Sequence, residues 1–91
     1  MYEVVYSTKF KKDYKLAVKR NWDIELLRVV VTQLSEGKTL APNYRDHNLQ
    51  GQFTDCRECH IKPDWLLIYR INVIDNTLEL VATGTHSDLF G

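Results

Sequence analysis

Cysteine is scarce in this chain, and long apolar runs are missing altogether. Cys56 and Cys59 are the only cysteines among 91 residues, and two thiols three positions apart cannot build a disulfide framework. The longest apolar stretches, 29–31 and 65–69, are far too short to cross a bilayer. The opening MYEVVYSTKF has no basic segment leading into an apolar one and no small-residue cleavage site, so no signal peptide is expected and the expected location is cytoplasmic. Repeats and low-complexity tracts are also lacking, and a single domain over residues 1–91 with one modest core is expected. Net charge is zero, which argues against bulk coating of nucleic acid. The zero hides a split: residues 1–45 hold nine Lys/Arg and five Asp/Glu, net +4, and residues 46–91 hold three and seven, net −4. A basic half suits local contact with phosphates or an acidic partner.

What is present is a change of hydrophobic period partway along the chain. Tyr2 to Tyr6 is β-branched and aromatic and predicts a strand. Ser7 or Thr8 then caps a helix whose apolar side carries Phe10, Tyr14 and Ala17, with Val18 beside them. Lys11, Lys15 and Lys19 recur on another face, which is either simply solvated or open to phosphate. Asp23 caps a second helix with a stripe of Ile24, Leu27, Val31 and Leu34, widened by Leu26 and Val30, and Gly37 ends it. The turn between them is short enough for an antiparallel helical hairpin. Residues 38–50 have no sustained period and read as a loop. From Gly51 the period becomes two, giving strands over 51–61, 65–74 and 77–83 with tight turns between them, and a short tail from Gly84. The order is β-α-α-β-β-β, an α+β chain ending in an antiparallel meander.

Residues 56–60 read CRECH, the C-x-x-C-H spelling that attaches haem in c-type cytochromes. In a strand, residues three apart point to opposite faces, so Cys56 and Cys59 cannot reach one porphyrin edge. Met is a frequent second axial ligand, and Met1 is the only one here. The same opposition of faces speaks against a zinc-chelating pair, although Cys56, Cys59, His47, His60 and His86 supply the right ligand types. Both cysteines read as small buried residues of a sheet.

The histidines remain. His47 lies before the meander, His60 at the end of its first strand, and His86 just after the last strand. In an antiparallel meander the first and third strands end at the same edge. That places His60 beside His86, with Asp64 in the adjoining turn.

At this point the sequence resembles the YafQ-type toxins of the RelE/ParE superfamily, bacterial toxin–antitoxin proteins. The resemblance is carried by YRDHNLQG (44–51), RECHIKPDWLLIY (57–69) and TGTHSDLFG (83–91), with YSTKFKKDYKLAVKR (6–20) fitting the helical start. It covers essentially the whole chain. It implies a RelE-like α+β fold, two N-terminal helices packed on a twisted, mostly antiparallel sheet. It implies an endoribonuclease that cuts mRNA on the translating ribosome and is silenced by a cognate antitoxin. The functional positions it implies are His47, His60, Asp64, His86 and Phe90, with Arg57 a weaker candidate. Gly51, Pro63 and Trp65 read as structural.

RNA brings its own nucleophile, the 2′-OH. Cleavage needs a base for that proton, an acid for the leaving 5′-oxygen, and positive charge near the phosphorane. Histidine suits these roles near neutral pH, with no metal or cofactor required. The expected products are a 2′,3′-cyclic phosphate or 3′-phosphate and a 5′-OH. His86 is expected as acid or base, with His60 or His47 complementary. Asp64 is expected to orient a histidine or to act as base. Phe90 offers a ring for an unstacked base or anchors the tail in the core. Arg57 contacts phosphate or forms a structural ion pair. Glu58 shares a strand face with His60 and either lies near the site or is solvated.

The superfamily also contains ParE-like toxins that bind a protein target without chemistry, and a regulatory subunit of that kind is the alternative. The histidine set favours the nuclease. The expected partners are the antitoxin, mRNA and the ribosome, with operator DNA reached only through the antitoxin complex and no membrane.

Overall fold

The computed structural model describes residues 1–91. In chain order it contains β1 (Glu3–Tyr6), α1 (Thr8–Lys19), α2 (Ile24–Ser35), β2 (His47–Asn48), β3 (Arg57–Lys62), β4 (Trp65–Asn72), β5 (Thr77–Gly84) and α3 (His86–Phe90). Single 3-10 turns lie at Pro42–Tyr44 and Gly51–Phe53.

Both long helices begin and end on local signals. Ser7 Oγ accepts from the Phe10 amide at 2.9 Å and donates to the Val81 carbonyl at 2.6 Å, so one residue caps α1 and ties it to β5. A cap of this type contributes about 1 kcal/mol. Asp23 caps α2 by accepting from the Glu25 amide at 3.2 Å. Helix α2 ends in a Schellman motif: Gly37, at φ +76°, donates to the Leu34 carbonyl and Lys38 to that of Gln33, each at 3.0 Å.

The strands form one five-stranded sheet in the order β1-β5-β4-β3-β2. Only the β1–β5 pair is parallel. The α+β architecture expected from the sequence is therefore observed, with corrections to its parts. The strand expected from Gly51 begins at Arg57, because Gly51 and Asp55 take positive φ (+74° for each) and curl the chain. The second strand stops at Asn72, whose side chain accepts from the Asp75 amide and turns the chain. The presumed loop 38–50 contains β2, and the tail after Gly84 is helix α3.

The sheet separates two cores. Phe10, Leu27, Val30 and Leu34 from the helices pack with Cys59, Trp65, Leu67, Tyr69, Leu78 and Leu80 on one face. Cys56, Leu66, Ile68, Ala82 and Leu89 make a smaller core on the other. Strand β4 alternates between them, one residue to each side, as period two demands. Strand β5 does not: its pairing slips between Ile68↔Ala82 and Tyr69↔Leu80. The extra residue, Val81, is a bulge that turns Ala82 to the face opposite Leu80. Full burial of a Leu or Ile in either core contributes roughly 1.5–3 kcal/mol. The two cysteines fall in different cores, as their spacing predicted, and both are free. Burial pushes the Cys59 thiol up to about 12. No helix is long and apolar enough to cross a membrane.

Candidate functional site

On the face away from α1 and α2, three imidazoles stand in a row. The His47 and His60 ring centroids are 6.3 Å apart, and those of His60 and His86 are 5.6 Å apart. The register explains the first pair: His47 in β2 lies opposite Glu58 in β3, and Glu58 shares a face with His60 two residues on. His86 arrives from the far side of the sheet, where β5 ends beside the turn between β3 and β4.

Glu58 lies beneath this row. It is only 5% exposed, and one oxygen, Oε1, lies 3.3 Å from His60 Nε2 and 3.5 Å from His47 Nε2. His47 Nδ1 lies 2.7 Å from the Arg45 carbonyl, which can only accept, so this nitrogen carries a proton. His47 thus has an acceptor at each ring nitrogen. Glu58 was open between a site role and solvation in the sequence, and the structure puts it under two of the three histidines.

His86 is held differently. Asp64 Oδ1 accepts from the His86 backbone amide at 2.9 Å and from its Nδ1 at 2.6 Å. The two bonds orient the ring and leave Nε2 without a protein partner. The His86 amide, then its ring, holds the Asp64 carboxyl below the usual carboxylate range. The pair is more than half exposed on both sides.

Phe90 stands one turn further along α3. It is 49% exposed and meets Phe53 edge-on, with centroids 5.8 Å apart and planes at 89°. The tail is anchored by the buried Leu89 instead. Phe53 was not singled out in the sequence, and a lone aromatic in a presumed strand gave no signal for it.

Arg57 stands apart from the histidines. Its side chain is on the helix-covered face, donating to Asp46 at 3.2 and 3.3 Å and to Asn48 at 2.7 Å. Asp46 also accepts from the Tyr69 hydroxyl at 2.5 Å. This cluster pins the segment that carries His47. Trp65 donates from Nε1 to Thr83 Oγ1 at 2.9 Å within the core.

A separate cavity lies between α1 and α2. It measures about 640 Å³, with Tyr6, Phe10, Leu27, Val31 and Leu80 along its apolar floor and Lys11, Lys15 and Arg28 at its rim. It holds no histidine; all three histidines lie on the other face of the sheet.

Residues 2–91 match the family described as bacterial toxin of type II toxin–antitoxin system, YafQ. The mRNA interferase toxin YafQ of Escherichia coli K12 is 41% identical over 90 residues, covering 98% of this chain and 96% of that protein. A metal-bound toxin from Helicobacter pylori superposes with a TM-score of 0.93 at 50% identity, covering 99% of this chain and all of that one (100%). YafQ in the E. coli DinJ–YafQ complex superposes with a TM-score of 0.89 at 40% identity, covering 100% of both chains. In motif, fold and sequence alike, the chain belongs to the YafQ family of bacterial toxins of type II toxin–antitoxin systems.

Proposed function

We propose that this toxin cuts mRNA on the translating ribosome by general acid–base catalysis along the row His47, His60 and His86. The observation that carries this reading is that row, with a carboxyl group behind each end of it. One imidazole takes the proton from the 2′-OH as its oxygen bonds to phosphorus. A second gives a proton to the 5′-oxygen as the phosphorus–oxygen bond breaks. The products are a 2′,3′-cyclic phosphate and a 5′-OH.

His86 suits the acid. Asp64 accepts from its Nδ1 and leaves Nε2 as the nitrogen that transfers the proton. His60, 5.6 Å away, is the complementary base. His47, held at both ring nitrogens, suits a contact that stabilises the phosphorane from the end of the row. Phe90 and Phe53 together offer an aromatic corner for an unstacked base, a contact worth about 1–3 kcal/mol. Arg57 supports the His47 segment rather than binding substrate. The metal-bound state of the H. pylori toxin poses the question of an ion here. No group of three His, Cys, Asp or Glu side chains here has the geometry to hold a metal ion.

The cytoplasm is where such a toxin meets its ribosomes. Its antitoxin partner, by analogy with DinJ on the E. coli toxin, has a suitable berth in the groove between α1 and α2. That groove's apolar floor and basic rim fit an acidic amphipathic segment. Operator DNA is reached through the antitoxin.

The test pairs the wild-type chain with His86→Ala in a purified translation reaction and maps mRNA ends. Cleavage within ribosome-bound codons leaving 5′-OH ends, slowed about a hundredfold or more by the substitution, is the expected result. Equal arrest of translation by both proteins, with intact mRNA, would overturn it in favour of a ParE-like binder.

A further inference from the structure

Helix α3 has five residues, too few to stand alone in water. Yet it carries both His86 and Phe90, so whatever holds it down sets where they stand. Leu89 is its only buried side chain, seated in the smaller core. Asp64 holds its first residue, Phe53 meets its last, and the further fastening is an ion pair. Asp88 receives a two-point grip from Arg20, the residue that ends α1: Nη1 to Oδ2 at 2.6 Å and Nη2 to Oδ1 at 3.0 Å. The same carboxyl closes a capping box, accepting from the Thr85 amide at 2.9 Å while the Asp88 amide donates to Thr85 Oγ1 at 3.0 Å.

Each partner of this grip is itself fixed. The Arg20 guanidinium lies over the Trp22 ring, 5.1 Å from its centroid, and Trp22 packs on Trp65 at 4.9 Å. On the other side Gly84 makes room: a Cβ there would come within 2.9 Å of Asp88 Oδ2. Both side chains of the pair are about one-third exposed or less, better shielded than Arg28–Glu25 on α2. The grip is forked and planar, a geometry that fixes direction as well as distance. Arg20, and next Thr85, hold the Asp88 carboxyl far below its ordinary range, so the grip is charged wherever histidine titrates.

We propose that Arg20 is a positioning residue for RNA cleavage, acting through Asp88 to hold α3 in the orientation that presents His86 and Phe90 to substrate. It ties the helical layer on one face of the sheet to the catalytic helix on the other. Arg20 touches no reacting atom in this reading, and its role rests on the nuclease assignment above.

The test compares Arg20→Gln, Asp88→Asn and the double variant in single-turnover cleavage of ribosome-bound mRNA, with Arg20→Lys as the conservative variant and Lys38→Gln, which breaks an ion pair with Glu36, as control. Asn at 88 retains an oxygen for the cap and loses the charge. The expected result is a fall of about tenfold or more in the maximal rate for each single variant. The double should be no worse than either single. Arg20→Lys should recover part of the loss, and Lys38→Gln should match wild type. NMR of the His86 ring supplies a readout independent of cleavage, with the Nδ1–H form losing population in Arg20→Gln. Rates within twofold of wild type per folded molecule, or an unchanged His86 ring in a variant that is merely less heat-stable, would overturn the proposal. Failure of the wild type to cleave would instead sink the nuclease reading, while the ring signals would still report on the grip.

Discussion

Two of the histidine–carboxyl arrangements on this sheet are built by opposite means. Glu58 is nearly buried and reaches both His47 and His60 with one oxygen, from strands that hold all three by register. Asp64 is exposed and reaches only His86, from a turn to the first residue of a short helix. The first arrangement is fixed by backbone pairing around a nearly buried carboxyl. The second is fixed by two hydrogen bonds and a remote ion pair, with water at its edge. A buried carboxyl is hard to replace, whereas an exposed one competes with solvent, so the two should respond very differently to the same chemical change.

The sharpest way to break the comparison is to neutralise each carboxyl in turn. Glu58→Gln, which keeps the volume and an acceptor oxygen, should slow cleavage about a hundredfold, within the range for loss of one acid–base element, because two imidazoles lose the nearly buried negative charge they share. Asp64→Asn should slow it about tenfold, since an amide oxygen still accepts from the His86 amide. Single-turnover rates on ribosome-bound mRNA rank the two, and equal losses would erase the distinction. Below these lies an effect on stability rather than chemistry. Tyr69→Phe removes the 2.5 Å bond to Asp46 and should cost about 1–2 kcal/mol in urea unfolding. It should slow cleavage less than either carboxyl change, because Arg57 still holds Asp46. The smallest effect is in titration. The Asp64 carboxyl is depressed in the folded state, so its contribution is present above the ordinary carboxylate range and is lost as pH falls through its folded value. Acid unfolding of wild type should show that loss and Asp64→Asn should not. In His86→Ala the carboxyl should move only part of the way back, as seen by carbon NMR, because the backbone amide still donates to it.

The helices were legible because their signals are local. Ser7, Asp23 and Gly37 do what their residue types do in any chain. The meander was legible from period two, and the shared edge of His60, Asp64 and His86 followed from strand direction alone. Among the features that escaped, three are instructive. The start of β3 was set too early because the positive φ at Asp55 leaves no mark in a pattern of apolar residues. Helix α3 was read as a tail because five residues with one buried side chain have no period, although T-x-x-D at 85–88 was a capping signal. Val81 escaped because a bulge changes which face a residue takes without changing the composition of the strand. For Glu58 the face was right and the environment was not readable, since alternation alone does not tell a buried carboxyl from a solvated one.

The parallel pairing of β1 with β5 has a kinetic consequence. Glu3 lies opposite Thr77 and Tyr6 opposite Leu80, so closing this edge joins residues more than seventy positions apart. Contacts of such range form late, because the entropy of closing the loop precedes any reward. The hairpin of β3 and β4 can zip first, but β5 keeps a bare flank until the opening strand returns to cover it. Refolding should therefore end in a slow step that protects the amides along that flank last, and variants that weaken Val4 or Val5 in β1 should lengthen the interval in which the chain is exposed to aggregation.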